Sequence, residues 1–258
     1  MNKMKISIGS ISALLLFCLW STNIAADQHG GKDSKREMLA EMWIMVPKEG
    51  KMQELEQAMR EHVKFRRTKN DPREWYFYTP VFGHKLDRIG VRAGGFTWKD
   101  MDSYREWADN QGITEHWQKT ADQYVDHYHH YLSVEDHENS NWGPDVDFNY
   151  VGVTTYTPKA GHRYAIKEDM KKMADAAKAE KWPYNWGFSH SVAGSGELTL
   201  AVPYKDWSAM APPEQEFAEL LSEHMGNEED AMELLKSWSS HFEEVSYNVW
   251  ALRRDLME

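Results

Sequence analysis

The chain has 258 residues, a formal charge of -11 and 41% hydrophobic residues, including 12 Trp, 12 Tyr and 9 Phe. That is enough apolar material for one or two cores, and the acidic surplus, with no basic stripe against it, excludes nucleic acid and anionic lipid as expected partners. Cys18 is the single cysteine, so disulfides and thiolate zinc sites are excluded together.

Lys3 and Lys5, the apolar run from Ile11 to Trp20 and the pair Ala25-Ala26 before Asp27 supply the three parts of a secretory signal. The run is too short to span a bilayer, which takes roughly 20 apolar residues, and charged residues interrupt every later hydrophobic stretch, so no stable membrane insertion is expected. Phe17, directly before Cys18, departs from the small residue that lipid attachment requires. Cleavage near Ala26 predicts a mature chain of 232 residues (258 - 26) with charge -13 (-11 - 2), located in the periplasm or secreted. Residues 27–37, rich in Gly and charge, read as a mobile arm.

A first unit is predicted over residues 38–137. It starts with a strand over 38–46, followed by a helix over 50–69 whose Met52, Leu55, Met59 and Val63 keep the spacing of one face. Lys64, Arg66, Arg67 and Lys69 suit the C-terminal end of that helix, and Asp71-Pro72 ends it. Aromatic and β-branched runs over 75–82 and 86–96 flank Gly83-His84-Lys85 as a hairpin. A helical region over 99–130, broken near Gly112, and a strand over 131–137 close the unit. Residues 138–147, around Asn141-Trp142-Gly143-Pro144, read as a linker.

The second unit, residues 148–258, repeats this order with strands over 150–156, 184–191, 197–202 and 245–252 and helices over 161–181 and 206–244. Pro212-Pro213 marks a helix start within the last of these. An offset of 111 carries Pro47, Lys48, Gly50, Leu55 and Met59 onto Pro158, Lys159, Gly161, Ile166 and Met170. Further on, an offset of 106 superposes Tyr78, Phe82, His84 and Gly90 on Tyr184, Phe188, His190 and Gly196, which reads as internal duplication.

The predicted fold is therefore α+β, two tandem ferredoxin-like βαββαβ units. The Pro-x-x-Gly turn before the first helix, the aromatic hairpin and the duplication together resemble the dimeric α+β barrel superfamily over nearly all the mature chain. The resemblance implies two sheets joined into a barrel with helices outside. Among its members, those with two units per chain are similar to the chlorite dismutase and dye-decolorising peroxidase group. Single-unit members include antibiotic-biosynthesis monooxygenases, small isomerases and haem-degrading enzymes.

No nucleophile elbow, phosphate loop, dinucleotide fingerprint or His-Glu-x-x-His helix is present. Gly194-Ser195-Gly196 reads as a hairpin turn. On a helix, His127 and His130, three apart, would share a face suited to a metal, and His127 could alternatively pair with Asp126 or His116, but the second unit does not reproduce the cluster, and no metal site is predicted. His62 lies on the apolar stripe of the first helix where the second unit has Met173, so it needs a buried partner or a role.

The leading candidates are His84 and His190, one per unit, with Tyr78, Phe82, Tyr184, Trp186 and Phe188 on the corresponding strand faces. Facing into the barrel, they would make an aromatic cavity with imidazole as acid, base or axial ligand. The functional expectation is an exported small-molecule-binding protein or cofactor-independent enzyme, taking an apolar or aromatic molecule; the cofactor is left open and a homodimer is compatible. The alternatives are a haem-handling protein and a non-catalytic periplasmic interaction module.

Overall fold

A computed structural model describes residues 37–193 and 196–258. The expected signal segment, most of the arm, and Gly194 and Ser195 of the predicted turn lie outside the described residues. The first unit contains β1 (Met38–Pro47), α1 (Met52–Thr68), β2 (Tyr76–Phe82), β3 (Ile89–Phe96), α2 (Trp98–Asn110), α3 (Ile113–Thr120) and β4 (Val125–Asn141). The second contains β5 (Tyr150–Pro158), α4 (Arg163–Ala179), β6 (Trp186–Ser191), β7 (Leu198–Tyr204), α5 (Phe217–Met225), α6 (Glu228–Ser240) and β8 (Phe242–Leu252).

All eight strands close into one antiparallel barrel in the order β1-β3-β2-β8-β5-β7-β6-β4. Each unit supplies four adjacent strands in ferredoxin-like order, and two seams, β2 against β8 and β4 against β6, join them on opposite sides of the ring. The last strand of each unit is long because it serves both sheets: β4 pairs with β1 and then β6, and β8 pairs with β5 and then β2.

This requirement corrects two sequence expectations. Residues 125–130, read as helix, and 138–141, read as linker, are strand, because barrel closure needs β4 at 17 residues. On a strand His127 and His130 point to opposite faces, so the helical spacing that brought them together does not apply. Pro212-Pro213 lies ahead of α5, which begins at Phe217 instead.

Helices cover the outside of the barrel, and each unit has its own core between helix and sheet. Leu55 and Met59 on α1 pack with Met45, Phe77, Ile89 and Val91, and Ile166 and Met170 on α4 pack with Trp186, Phe188 and Leu198. The alternate positions of the first sheet, among them Met42, Ile44, Tyr78 and Gly90, face the barrel interior. A Cβ on Gly90 would fall 2.6 Å from Met42 Cε and 3.2 Å from the Trp250 ring, so side chains fill the interior there.

Duplication extends to single bonds. The backbone N–H of Lys48 donates to Tyr124 O and its Nζ to Gln123 O, while Lys159 repeats both bonds with His241 O and Ser240 O. Strand register corrects the second offset, however. Met45 pairs with Ile89 and Tyr156 with Leu198, which places Phe188 opposite Leu200 where Phe77 stands opposite Val91. The offset of 111 thus persists through Trp75 and Trp186, and through Phe77 and Phe188. A match at 106 differs by five residues, an odd number, and so equates opposite strand faces.

Candidate functional site

That register separates the residues expected to share a cavity. Trp186 and Phe188 are buried under the second unit's helices rather than inside the barrel. Tyr78 faces the interior, and Tyr184 precedes β6 and packs against Trp182. Phe82 is exposed and edge-on to Trp207. His84 is exposed in the β2–β3 turn, where its backbone N–H donates to Asn248 Oδ1 at the β2–β8 seam. His190 is half-buried at the other seam, 3.4 Å from Asp136. Burial would raise the Asp136 carboxyl, but its bonds to His190 and Asn139 prevail and lower it to about 2. His84 and His190 therefore stand at opposite seams of the ring.

His62 is brought into a site. A cavity of about 690 Å³ opens between the first unit's sheet and its three helices. Its floor carries Trp43, Met45, Trp75 and Phe77, and its helical walls carry Met59, His62 and Arg66 from α1, Tyr104 and Ala108 from α2, and Ile113 and Trp117 from α3. Size and aromatic lining are those of a small-molecule pocket.

Local sequence explains the placement. Arg66 lies one turn beyond His62 on the sheet-facing side of α1, and the chain reverses at Asp71-Pro72, so that Asp71 Oδ2 accepts from Arg66 Nε at 2.6 Å. Arg73 then runs back over the sheet to pair with Glu41, both side chains under 10% exposed. Its guanidinium stacks between the rings of Phe96 (3.9 Å) and Tyr104 (3.8 Å). Glu41 also accepts from Trp43 Nε1 at 3.1 Å and bonds His130 Nε2 at 2.7 Å, while the His130 ring lies flat on Trp43. α2 starts at a capping box between Thr97 and Asp100, and Gly112 in the left-handed region at φ +66° permits the turn into α3.

Four ionisable groups lining the cavity are displaced from their ordinary pKa values. Burial, with Arg66 and His116 adding to it, pushes His62 down to about 3. Burial would raise Glu41, but the bonds to His130 and Trp43 and the Arg73 charge overcome it and hold the carboxyl below its usual range. Burial lifts Tyr104 to about 12 and, with the Asp122 bond, lifts Tyr128 further. His62 Nε2 lies 3.2 Å from Arg66 Nη1 and its Nδ1 lies 3.0 Å from His116 Nδ1, so both ring nitrogens are engaged. Trp75 Nε1 is buried beside the Tyr104 hydroxyl without a well-formed hydrogen bond.

Sequence reasoning missed Glu41, Arg66 and Arg73 as site residues. A signal existed: Glu41 interrupts an otherwise apolar strand at a position that alternation places with Leu39, Trp43 and Met45. Among the described residues no group of three or more His, Cys, Asp and Glu side chains is arranged to hold a metal ion, and no helix is long and apolar enough to cross a membrane.

No family model matches the sequence, and neither does any curated protein. Solved structures do match in fold. A protein from Fusobacterium nucleatum subsp. nucleatum assigned as a monooxygenase aligns with a TM-score of 0.55 at 9% identity, covering 84% of this chain and 93% of its own. A mutant chlorite dismutase from Candidatus Nitrospira defluvii aligns with a TM-score of 0.54 at 8% identity, covering 85% and 94%. A Lactobacillus acidophilus protein, also assigned as a monooxygenase, gives 0.52 at 7% identity, covering 84% and 94%. Such identities speak for fold alone. The chain therefore has the fold of the dimeric α+β barrel proteins, with two ferredoxin-like units closing one barrel in a single chain.

Proposed function

We propose that the protein is an exported binder of a small aromatic or apolar molecule, received in the helix-side cavity of the first unit. The observation that carries this reading is a space of about 690 Å³ lined by the aromatic side chains of Trp43, Trp75, Phe77, Tyr104 and Trp117 and by Arg66. A conjugated ligand with a carbonyl or phenolic oxygen would stack on the rings and accept from the Arg66 guanidinium. Because His62 is neutral and held on both nitrogens, it does not supply imidazole acid–base chemistry near pH 7. It positions Arg66 instead. Haem fits these residues poorly: His62 is the imidazole among the lining residues, and its Nε2, the atom an axial ligand would present, is occupied by Arg66.

Isothermal titration calorimetry against a panel of naphthols and aromatic ketones tests the cavity. Saturable one-site binding is expected, lost in Ala108→Trp, which fills the space from α2. No binding by any of them, or equal binding by that variant, overturns the reading. Export is tested separately by intact mass of periplasmic protein: a chain beginning near Asp27 supports it and a retained Met1 removes it.

A further inference from the structure

We propose that His116 is an acid-sensitive latch that holds α3 against α1 and so governs access to the cavity, an inference that rests on reading the cavity as a ligand site.

Arg66 can only donate, so His62 Nε2, at 3.2 Å from Arg66 Nη1, must accept. Neutral His62 then carries its single proton on Nδ1, which donates to His116 Nδ1 at 3.0 Å. His116 Nδ1 is left as the lone pair, and the His116 proton resides on Nε2. The bond between two imidazoles fixes both tautomers.

This bond ties α3 to α1, and α3 supplies the cavity residues Ile113, Thr114, Trp117 and Gln118. The His116 ring also stacks on Phe65 of α1, with centroids 4.0 Å apart. Protonation of His116 puts a second N–H on Nδ1, facing the N–H of His62 across the same 3.0 Å. His62 cannot answer by moving its proton to Nε2, since that would set an N–H against Arg66. The latch bond is therefore lost, and Thr120 Oγ1, 3.4 Å from His116 Nδ1 on the same helix, offers an alternative acceptor that does not involve α1.

The charged groups facing His116 are Glu61 from α1, which favours the cation, and Lys119 on its own helix, which opposes it and is itself paired with Glu115 at 2.7 Å. Arg66 acts through His62, which carries no charge. Burial outweighs Glu61 and sets His116 below its ordinary value of 6.5, so the latch is closed at neutral pH and releases on the acid side.

Hydrogen exchange of the amides over residues 116–121, the hydrogen-bonded amides of α3, in the whole protein reads the latch without a ligand. Between about pH 7.5 and about pH 5, after correction for intrinsic exchange, protection of this segment should fall by about tenfold in the wild type. In His116→Asn, whose Oδ1 accepts from His62 and does not titrate, protection should stay constant. Unchanged protection in the wild type, or the same loss in the Asn variant, overturns the proposal. Because no ligand enters the measurement, failure here leaves the binding reading standing, and failure of the aromatic panel leaves this result interpretable.

Discussion

The two units share one plan and differ in what lies between helix and sheet. In the second, Trp238 of α6 packs among Tyr156, Phe188 and Phe242 beneath Leu220, Leu221 and Leu234, and the layer is close-packed. In the first, α2 buries none of its residues fully, and a cavity separates it from the sheet. The buried polar groups differ likewise. The second unit holds the compact pair Asp169 and His241 at 3.0 Å, whereas the first spreads Glu41, Arg73, Arg66, Asp71 and His62 around an open space. The two units thus keep one scaffold and differ in how its helix layer is filled, and the proposed ligand site lies in the less filled layer.

The largest expected effect breaks the close-packed side. Trp238→Ala should cost about 3–5 kcal/mol in urea denaturation, the range for removing a buried tryptophan from a core. Trp117→Ala in the first unit should cost less than about 3 kcal/mol, because that ring already borders empty volume. Equal losses would show that the two layers are not packed differently.

Next comes the ion pair. Arg73→Ala leaves Glu41 with only its Trp43 and His130 bonds in a site where both side chains of the ion pair are under 10% exposed, and should cost about 3 kcal/mol, the low end of the range for breaking a buried pair. Replacing both residues together, Glu41→Leu with Arg73→Met, should recover most of that loss, since a buried pair exchanged for apolar residues is often neutral. A double variant as unstable as Arg73→Ala would mean that the pair is worth more than its desolvation.

Acid should distinguish the units too. His62 has a folded pKa of about 3 against 6.5 when unfolded, so below pH 6.5 the unfolded chain binds the proton first. Its contribution is complete above pH 6.5 and is lost as pH falls toward 3, on the order of several kcal/mol. His62→Met, which places the second unit's Met173 in the first, should flatten that part of the stability–pH curve. An unaltered slope would assign the acid sensitivity elsewhere.

The fold was legible because its signals are periodic. Leu55 and Met59 repeat as Ile166 and Met170 on a 3.6-residue stripe, and the Pro-Lys turns announce each first helix. The equivalence of β2 and β6 between the units was not legible: a Tyr, a Phe and a His recur at 106, yet strand alternation has period two, and only hydrogen-bond register showed that Phe77 answers to Phe188. The candidate site was half visible. His62 announced itself as a polar residue on an apolar stripe, but Arg66 read as a helix end and Arg73 carried no signal, because their meeting with Tyr104 depends on how α2 lies across the sheet.

The smallest effect concerns a place where the units have not diverged. Lys48 and Lys159 each follow the proline that ends the first strand of a unit, and each donates its backbone N–H and its Nζ to consecutive carbonyls just ahead of the unit's last strand. Those four bonds close each unit's first turn onto its final helical segment, tying together segments distant in sequence. The side-chain bond is exposed in both units, so water competes for it, and its net worth should be near the bottom of the usual range for a hydrogen bond, about 0.5 kcal/mol. Lys48→Ala and Lys159→Ala should therefore lower stability by similar small amounts and add independently in the double variant, since the two turns share no partner. If Lys48→Ala cost several times as much as Lys159→Ala, the cavity would be straining the first unit's turn, and the division between a preserved scaffold and an altered helix layer would have to be redrawn at that bond.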